Sequence, residues 1–201
     1  MMGLECAILL SMQDKEIEIQ VRVSDVDKLE AFLAKNAKFK GEKYQKDEYY
    51  SPSHRDFLAE KPVAEWLRLR ESKTNSITYK NWHYDHNGNS HYCDEYETGV
   101  DDVEKLRKIF AVLDFRPIII VEKTRRTWDY ADYEVAIDVI MDLGDFVEIE
   151  YKGSDKSADP AVVTDGMIKF LKKVGCKKIE RNFVGYPFML LYPKDQVFEE
   201  V

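Results

Sequence analysis

The 201-residue chain is poor in the residues that mark several common protein classes. It has three cysteines, Cys6, Cys93 and Cys176, odd in number, scattered and without metal-ligand spacing. That argues against a disulfide framework and fits a reduced, cytoplasmic protein. Glycine is sparse and nowhere clustered, so there is no glycine-rich phosphate loop; Gly153 and Gly175 mark loop and cap positions. No apolar run is long enough for a membrane span. The N-terminal CAILL is short and no Lys or Arg precedes it, so it reads as neither signal peptide nor anchor. An excess of positive charge is lacking too. The formal net charge of −8 argues against a general nucleic-acid binder. A local basic cluster for a small anion is still compatible with it. His83, His86, His91 and Cys93 flank Asn87-Gly88 at spacings that match no standard zinc site, and read as a solvated hairpin tip.

What is present is 44% hydrophobic and 34% charged, enough for one domain over 1–201 with a real core. Residues 1–14 read as an N-terminal extension, 15–152 carry the motifs, and 153–201 form a C-terminal helix and closing segment. KEIEIQVRV (15–23) alternates strictly and predicts a strand. Ser24 and Asp25 can cap a helix through about Ala37. Strands follow around YQKDEYY, ended by Ser51-Pro52, and at 65–72 and 76–82. Asn87-Gly88 predicts a hairpin into HYCDEYETG. Asp101 and Asp102 open a second helix through about Leu113. PIIIVEKTRR, YEVAIDVIM and FVEIEYK read as a three-strand meander. Residues 159–174 predict the last helix, stopped by Gly175. The apolar PFMLLY is expected to pack back on the domain.

The strands repeat one peculiarity. Like charges stand at i and i+2: Glu16 and Glu18, Arg68 and Arg70, Glu95 and Glu97, Lys123 and Arg125, Glu148 and Glu150. The strand period puts each pair on one face, roughly 7 Å apart. The other face carries Ile17, Ile19, Leu67, Leu69, Val147 and Ile149. One such pair is ordinary on a solvated sheet face. Five pairs, segregated by sign, are not, because adjacent like charges repel. Turn chemistry gives the registers. The Asn87-Gly88 turn sets Lys80 opposite Glu95 and Thr78 opposite Glu97. A four-residue turn over Asp129–Asp132 sets Lys123 opposite Asp138 and Arg125 opposite Ala136. A turn over Asp142–Gly144, with Gly144 at positive φ, sets Asp138 opposite Glu148. Lys123, held between acids, is then expected to stay firmly protonated. Clustered carboxylates call for a cation, and clustered Arg and Lys for an anion. A barrel so lined suits a triphosphate with Mg²⁺ or Mn²⁺.

EIEIQ (16–20) resembles the Glu-x-Glu-x-Lys signature of the CYTH, or triphosphate tunnel, superfamily. QKDEYYSP with HRDF resembles the segment before the Arg-x-Arg strand in its class IV adenylate cyclase branch, and EWLRLRES, SITYK, DEYE, VEKTRR and LGDFVEIE resemble the superfamily's later strand motifs, in order, over residues 15 to about 152. The resemblance implies an α+β fold: an antiparallel eight-stranded β-barrel with helices packed outside. It implies Glu16, Glu18, Glu148 and Glu150 as ligands of Mg²⁺ or Mn²⁺. It implies Arg68, Arg70, Lys80, Lys123 and Arg125 as the grip on the phosphates. Lys80, Lys123 and Asp138 are the catalytic candidates, and Glu95 and Glu97 further tunnel acids. Two positions depart from the pattern. Gln20 stands where the motif has Lys, with Arg22 as a possible substitute on the same face. Cys93 stands where the cyclase branch has Arg. The implied activity is conversion of ATP to cyclic AMP and pyrophosphate. The alternatives are hydrolysis of thiamine triphosphate or inorganic tripolyphosphate, or binding of a nucleotide or polyphosphate without turnover. A homodimer is a further implication of the resemblance.

Overall fold

A computed structural model describes residues 15–84, 90–155, 157–196 and 198–201. The N-terminal extension, the Asn87-Gly88 turn and His86 lie outside the described residues. The elements are β1 (Lys15–Glu16), β2 (Glu18–Arg22), α1 (Val26–Asn36), β3 (Lys38–Pro52), β4 (Glu65–Glu71), β5 (Ser76–Tyr84), β6 (Ser90–Gly99) and α2 (Val103–Val112). Then come β7 (Phe115–Tyr130), β8 (Tyr133–Ile140), β9 (Gly144–Tyr151), α3 (Pro160–Val174), β10 (Glu180–Asn182), α4 (Gly185–Leu191) and β11 (Phe198–Glu200).

All strand pairings are antiparallel, in the order β1-β6-β5-β4-β3-β7-β8-β9-β2-β10-β11. The α+β architecture is the expected one, with eleven strands among the described residues in place of eight. The difference has two sources. The first strand breaks at Ile17, so that β1 pairs with β6 while β2 pairs with β9. The C-terminal segment adds β10 and β11 beyond β2. Because only Ile17 separates β1 from β2, the run 15–22 links β6 to β9, and the sheet curls around its charged face.

The outer face and the helices make the core. In α1, Leu29 and Leu33 are one turn apart and fully buried. In α3, Thr164, Met167, Phe170 and Leu171 repeat the same spacing. These helices cover Ile19, Val21, Val135, Ile137, Val147 and Ile149. Asp159 caps α3 through the Ala161 amide at 2.8 Å, and Gly175, at φ 96°, stops it. Helix α2 starts at Asp102, which accepts from the Lys105 amide at 2.9 Å, and buries Val103 and Phe110 over Leu69. At α1 the expected side-chain cap is not made: the Ser24 hydroxyl goes to Asp25 and to the Lys177 carbonyl. The PFMLLY segment does pack back, as helix α4. Its Tyr186, Phe188 and Met189 join Tyr49, Trp66, Val121, Ile140 and Phe146 at one end of the charged face.

The β5–β6 register is as expected, with Lys80 opposite Glu95 and Thr78 opposite Glu97. The other two hairpins differ by one residue pair. Tyr130 pairs with Tyr133 across a two-residue turn with Ala131 at φ 51°, so Arg125 lies opposite Asp138 and Lys123 opposite Ile140. The next turn spans Met141–Leu143, with Asp142 at φ 66° and Gly144 at 87°, and sets Glu148 opposite Ala136 and Asp138 opposite Phe146. The first turn is two residues shorter than expected, and the second keeps three residues but begins one residue earlier. A shift of two keeps every side chain on its face, whereas a shift of one would invert it.

Candidate functional site

The charged alternates share the inner face, where two ion networks stand side by side. The first surrounds Lys80. Its ammonium lies 2.6 Å from Glu16, 3.3 Å from Glu95 and 3.5 Å from Glu18. Glu18 in turn faces Glu150 across the β2–β9 ladder. This cluster holds more acid than one lysine can balance. Burial would raise the Glu16 carboxyl, but the Lys80 charge together with hydrogen bonds from Glu95, Lys80 and Cys93 outweighs it and holds Glu16 well below the carboxylate range. Its neighbours go the other way. Burial and the Glu16 charge push Glu18 well above its ordinary value. Glu95 rises to about 8 through burial and its hydrogen bond with Glu16, and Glu150 to about 7 through burial and the Glu16 charge. Against the desolvation that would lower it, Lys80 is raised well above its usual value by Glu16 and Glu18.

The second network surrounds Asp138, which is wholly buried. Arg125 grips it with both arms, at 2.7 and 2.6 Å, and also reaches Glu148 at 2.8 Å. Lys123 donates to Asp138 at 3.1 Å, diagonally rather than from the opposite register position. The expectation for Lys123 is corrected here. Burial and the adjacent Arg125 charge lower it to about 8, with Asp138 and Glu148 only partly offsetting. Arg125 has taken the acid that was expected to hold this lysine.

Arg70 makes a parallel two-armed pair with buried Asp47, at 2.6 and 2.7 Å. Arg68 donates to Thr78 at 2.9 Å and to Glu97 at 3.3 Å, with Glu97 half exposed at the rim. Arg22 stands apart. Its guanidinium donates to the Leu143 carbonyl and lies over the Phe146 and Phe198 rings, so it does not fill the place of the lysine that Gln20 replaces. Gln20 instead accepts from Asn182 at 2.6 Å. Cys93 is buried, and its thiol donates to Glu16 at 3.1 Å.

Of the four expected metal ligands, Glu16 and Glu18 meet at Lys80, Glu148 turns to Arg125, and Glu150 turns to Lys152. Among the described residues, Glu16, Cys93 and Glu95 bring ligand atoms within 4.8 Å of one another. A cavity of about 70 Å³ opens between the two networks, lined by Glu18, Arg68, Lys80, Lys123 and Glu148 together with Tyr49, Trp66, Trp82 and Tyr186. Sequence reasoning missed the last four and Asp47. Gln45, Asp47 and Tyr49 keep the strand period, but their mixed chemistry hides it. Trp66 and Trp82 sit two residues before Arg68 and two after Lys80, so the same period could have found them. Tyr186 has no local signal, because a separate helix brings it in.

An antiparallel sheet curled around a face with both signs of charge is a fold class that known proteins share. The CYTH domain model matches residues 14–181, and this chain belongs to the CYTH family. A Methanocaldococcus jannaschii protein provisionally named an adenylate cyclase is 33% identical over 165 residues, 81% of this chain and 91% of the relative. The structure of PH1819 from Pyrococcus horikoshii superposes with a TM-score of 0.73 at 26% identity, covering 89% of this chain and 99% of that one. HpAC1 from Hippeastrum, an adenylyl cyclase candidate with a dominant triphosphatase activity, shares the fold at 16% identity, with a TM-score of 0.61 over 89% of this chain and 95% of that one. No helix among the described residues is long and apolar enough to cross a membrane.

Proposed function

We propose that the chain is a metal-dependent enzyme that acts on a triphosphate at the inner face, most simply as a class IV-type adenylate cyclase. The observation that carries this reading is the cavity whose lining combines the cations Lys80, Arg68 and Lys123 with the acids Glu18 and Glu148. The donor set also fits a hard divalent cation. Glu16, Glu18 and Glu95 crowd one lysine with Glu150 beside them, and burial with the neighbouring Glu16 pushes Glu18, Glu95 and Glu150 toward protonation. Glu16, Glu18 and Glu150 would hold Mg²⁺ or Mn²⁺. The bound ion would supply neutralisation of charge developing on phosphate oxygens.

The chain's own groups do the rest. Arg70 and Arg125 are locked by Asp47 and Asp138 and are not among the residues that line the cavity, so they contribute fixed positive charge rather than direct donors. Lys123 and Arg68 face the cavity and bind phosphate oxygens, and Lys80 holds the acid cluster together. In the cyclase reaction the ATP 3′-hydroxyl attacks the α-phosphorus and pyrophosphate leaves, its charge met by these fixed cations. The second reading is hydrolysis of a terminal phosphate. Cys93 favours it, since it places a neutral group where the cyclase branch has Arg. The activity of the Hippeastrum protein points the same way.

Purified protein with Mg²⁺ or Mn²⁺ and ATP, thiamine triphosphate or tripolyphosphate separates the readings. Cyclic AMP supports the first and phosphate the second. Binding without turnover leaves a nucleotide or polyphosphate binder and sinks both.

A further inference from the structure

The family match ends at residue 181, yet the chain beyond it reaches back into the charged face. Two buried side chains make the contact. Asn182 donates to Gln20 at 2.6 Å, and its own side-chain oxygen accepts from the Val184 amide, which fixes the turn into α4. Tyr186, carried by α4, donates to Asp138 at 3.0 Å. Its ring packs edge-on against Phe146 and lies 4.9 Å from the Lys123 ammonium. We propose that Tyr186 is a positioning residue for a polyphosphate ligand, acting through Asp138 to hold Lys123 toward the cavity. This rests on the reading of the inner face as a triphosphate site.

Three donors converge on one acceptor. One oxygen of Asp138 receives Arg125, Lys123 and Tyr186 together. A carboxylate oxygen has two lone pairs, so three donors compete for it. The phenol keeps its proton, because burial and the Asp138 charge raise it well above the ordinary tyrosine value. It is therefore a permanent neutral donor that loosens the hold of Asp138 on Lys123. Asp138 is the one hydrogen-bond partner of the Lys123 ammonium among the described residues, which leaves two of its three N–H groups for a ligand. The Tyr186 ring closes off the apolar side, so those N–H groups have the cavity to face. Without the hydroxyl, Lys123 would settle onto Asp138, and a phosphate would have to pull it away.

Tyr186→Phe removes one oxygen and keeps the ring on Phe146. Calorimetric titration of the full chain with inorganic tripolyphosphate, free of divalent cations, is the test. Tyr186→Phe is expected to weaken binding about tenfold, the scale of one hydrogen bond to a charged group. In a Lys123→Met background the same substitution should change nothing, because the residue it acts through is gone. Equal affinity of Tyr186→Phe and the wild type overturns the proposal, as does an undiminished loss in the Lys123→Met background. A fall in melting temperature with affinity unchanged assigns Tyr186 to the core alone. If the wild type binds no tripolyphosphate, the reading of the site fails, and this inference with it.

Discussion

Lys80 and Lys123 occupy the inner face of the same sheet, and both line the same cavity. Each has an acid within 3.1 Å. Around Lys80 the acids are in excess, and the ammonium is pinned in its charged form. Around Lys123 the nearest acid is already gripped by Arg125, and the ammonium is lowered to about 8. The difference teaches that a residue's charge state follows the local count of partners rather than the presence of one. It also divides the labour. Lys80 holds an acid cluster together, while Lys123 has donors to spare.

The acid side of the comparison breaks first at Glu16. Glu16→Gln keeps the shape and removes the anion that a hard cation prefers. Metal-dependent turnover of whichever triphosphate is used is expected to fall by on the order of 100-fold or more, with the fold retained. Glu148→Gln should have a smaller effect, because Arg125 keeps Asp138 as a partner. Unchanged metal dependence in Glu16→Gln would remove that residue from the metal set.

The next largest effect is on stability. Lys80→Met leaves a buried acid cluster without its cation and should destabilise the protein by about 3–5 kcal/mol at neutral pH. The pH dependence has a definite sign. The folded Lys80 value lies above its unfolded 10.5, so its contribution is fully present below that pH. The folded Glu16 value lies below 4.5, so its contribution is present above that pH and lost on further acidification. The deficit of Lys80→Met should therefore be widest between these limits and narrow toward acid. Glu95 and Glu150 act oppositely. Their raised values mean that the wild type, without metal, loses stability as pH climbs from about 4.5 through 7 and 8. Melts across pH, with and without Mg²⁺, test both statements. A gap that widens toward acid would contradict the assigned pairing.

The two networks also show where the sequence was legible. The strand period of two carries the charge pairs, and it survives any even shift of register, so the inner face could be read directly. Lys80 opposite Glu95 was readable as well, because the Asn-Gly signal predicts a definite register for the two strands it joins. Arg125 opposite Asp138 was not. The turn at Ala131 places a non-glycine residue at positive φ, and nothing local announces that. That single pairing reassigns Asp138 from Lys123 to Arg125. Tyr186 and Asn182 come from elements whose placement depends on the finished core. Arg22 followed the strand period but found a carbonyl and two aromatic rings, which side-chain alternation does not foresee.

Lys123→Met sharpens the comparison from the other side. Asp138 would keep both arms of Arg125 and the Tyr186 hydroxyl, so no acid is orphaned. A folded value of about 8, below the unfolded 10.5, means that folding penalises this charge at neutral pH, a penalty that fades as pH rises from 8 to 10.5. The empty variant should match the wild type or exceed it by about 1 kcal/mol near pH 7. Its tripolyphosphate affinity should fall by about 100-fold, the scale of removing a charge-assisted hydrogen bond from a desolvated site. A large loss of stability at neutral pH would mean that Lys123, like Lys80, is a structural counter-ion.

The smallest expected effect tests whether Gln20 weakens the anion grip. Gln20 lines the cavity opposite Glu148, with its side-chain oxygen occupied by Asn182. Gln20→Lys would lose that hydrogen bond and place a second ammonium beside Lys123. Two outcomes compete. The new lysine can turn toward the cavity and bind a phosphate oxygen, or it can pair with Glu148 and be spent there. Glu148 already has Arg125 at 2.8 Å and is held ionised mainly by that charge, against its own burial. It therefore gains little from another cation, and the cavity-facing arrangement should prevail. Gln20→Lys should tighten tripolyphosphate binding about threefold to tenfold at low ionic strength, within the range of surface to partly buried ion pairs. The gain should shrink as salt is raised. A gain that ignores salt would point to repacking around Asn182. No gain at any salt would mean that Glu148 captures the lysine and that the neutral residue at this position does not limit anion affinity.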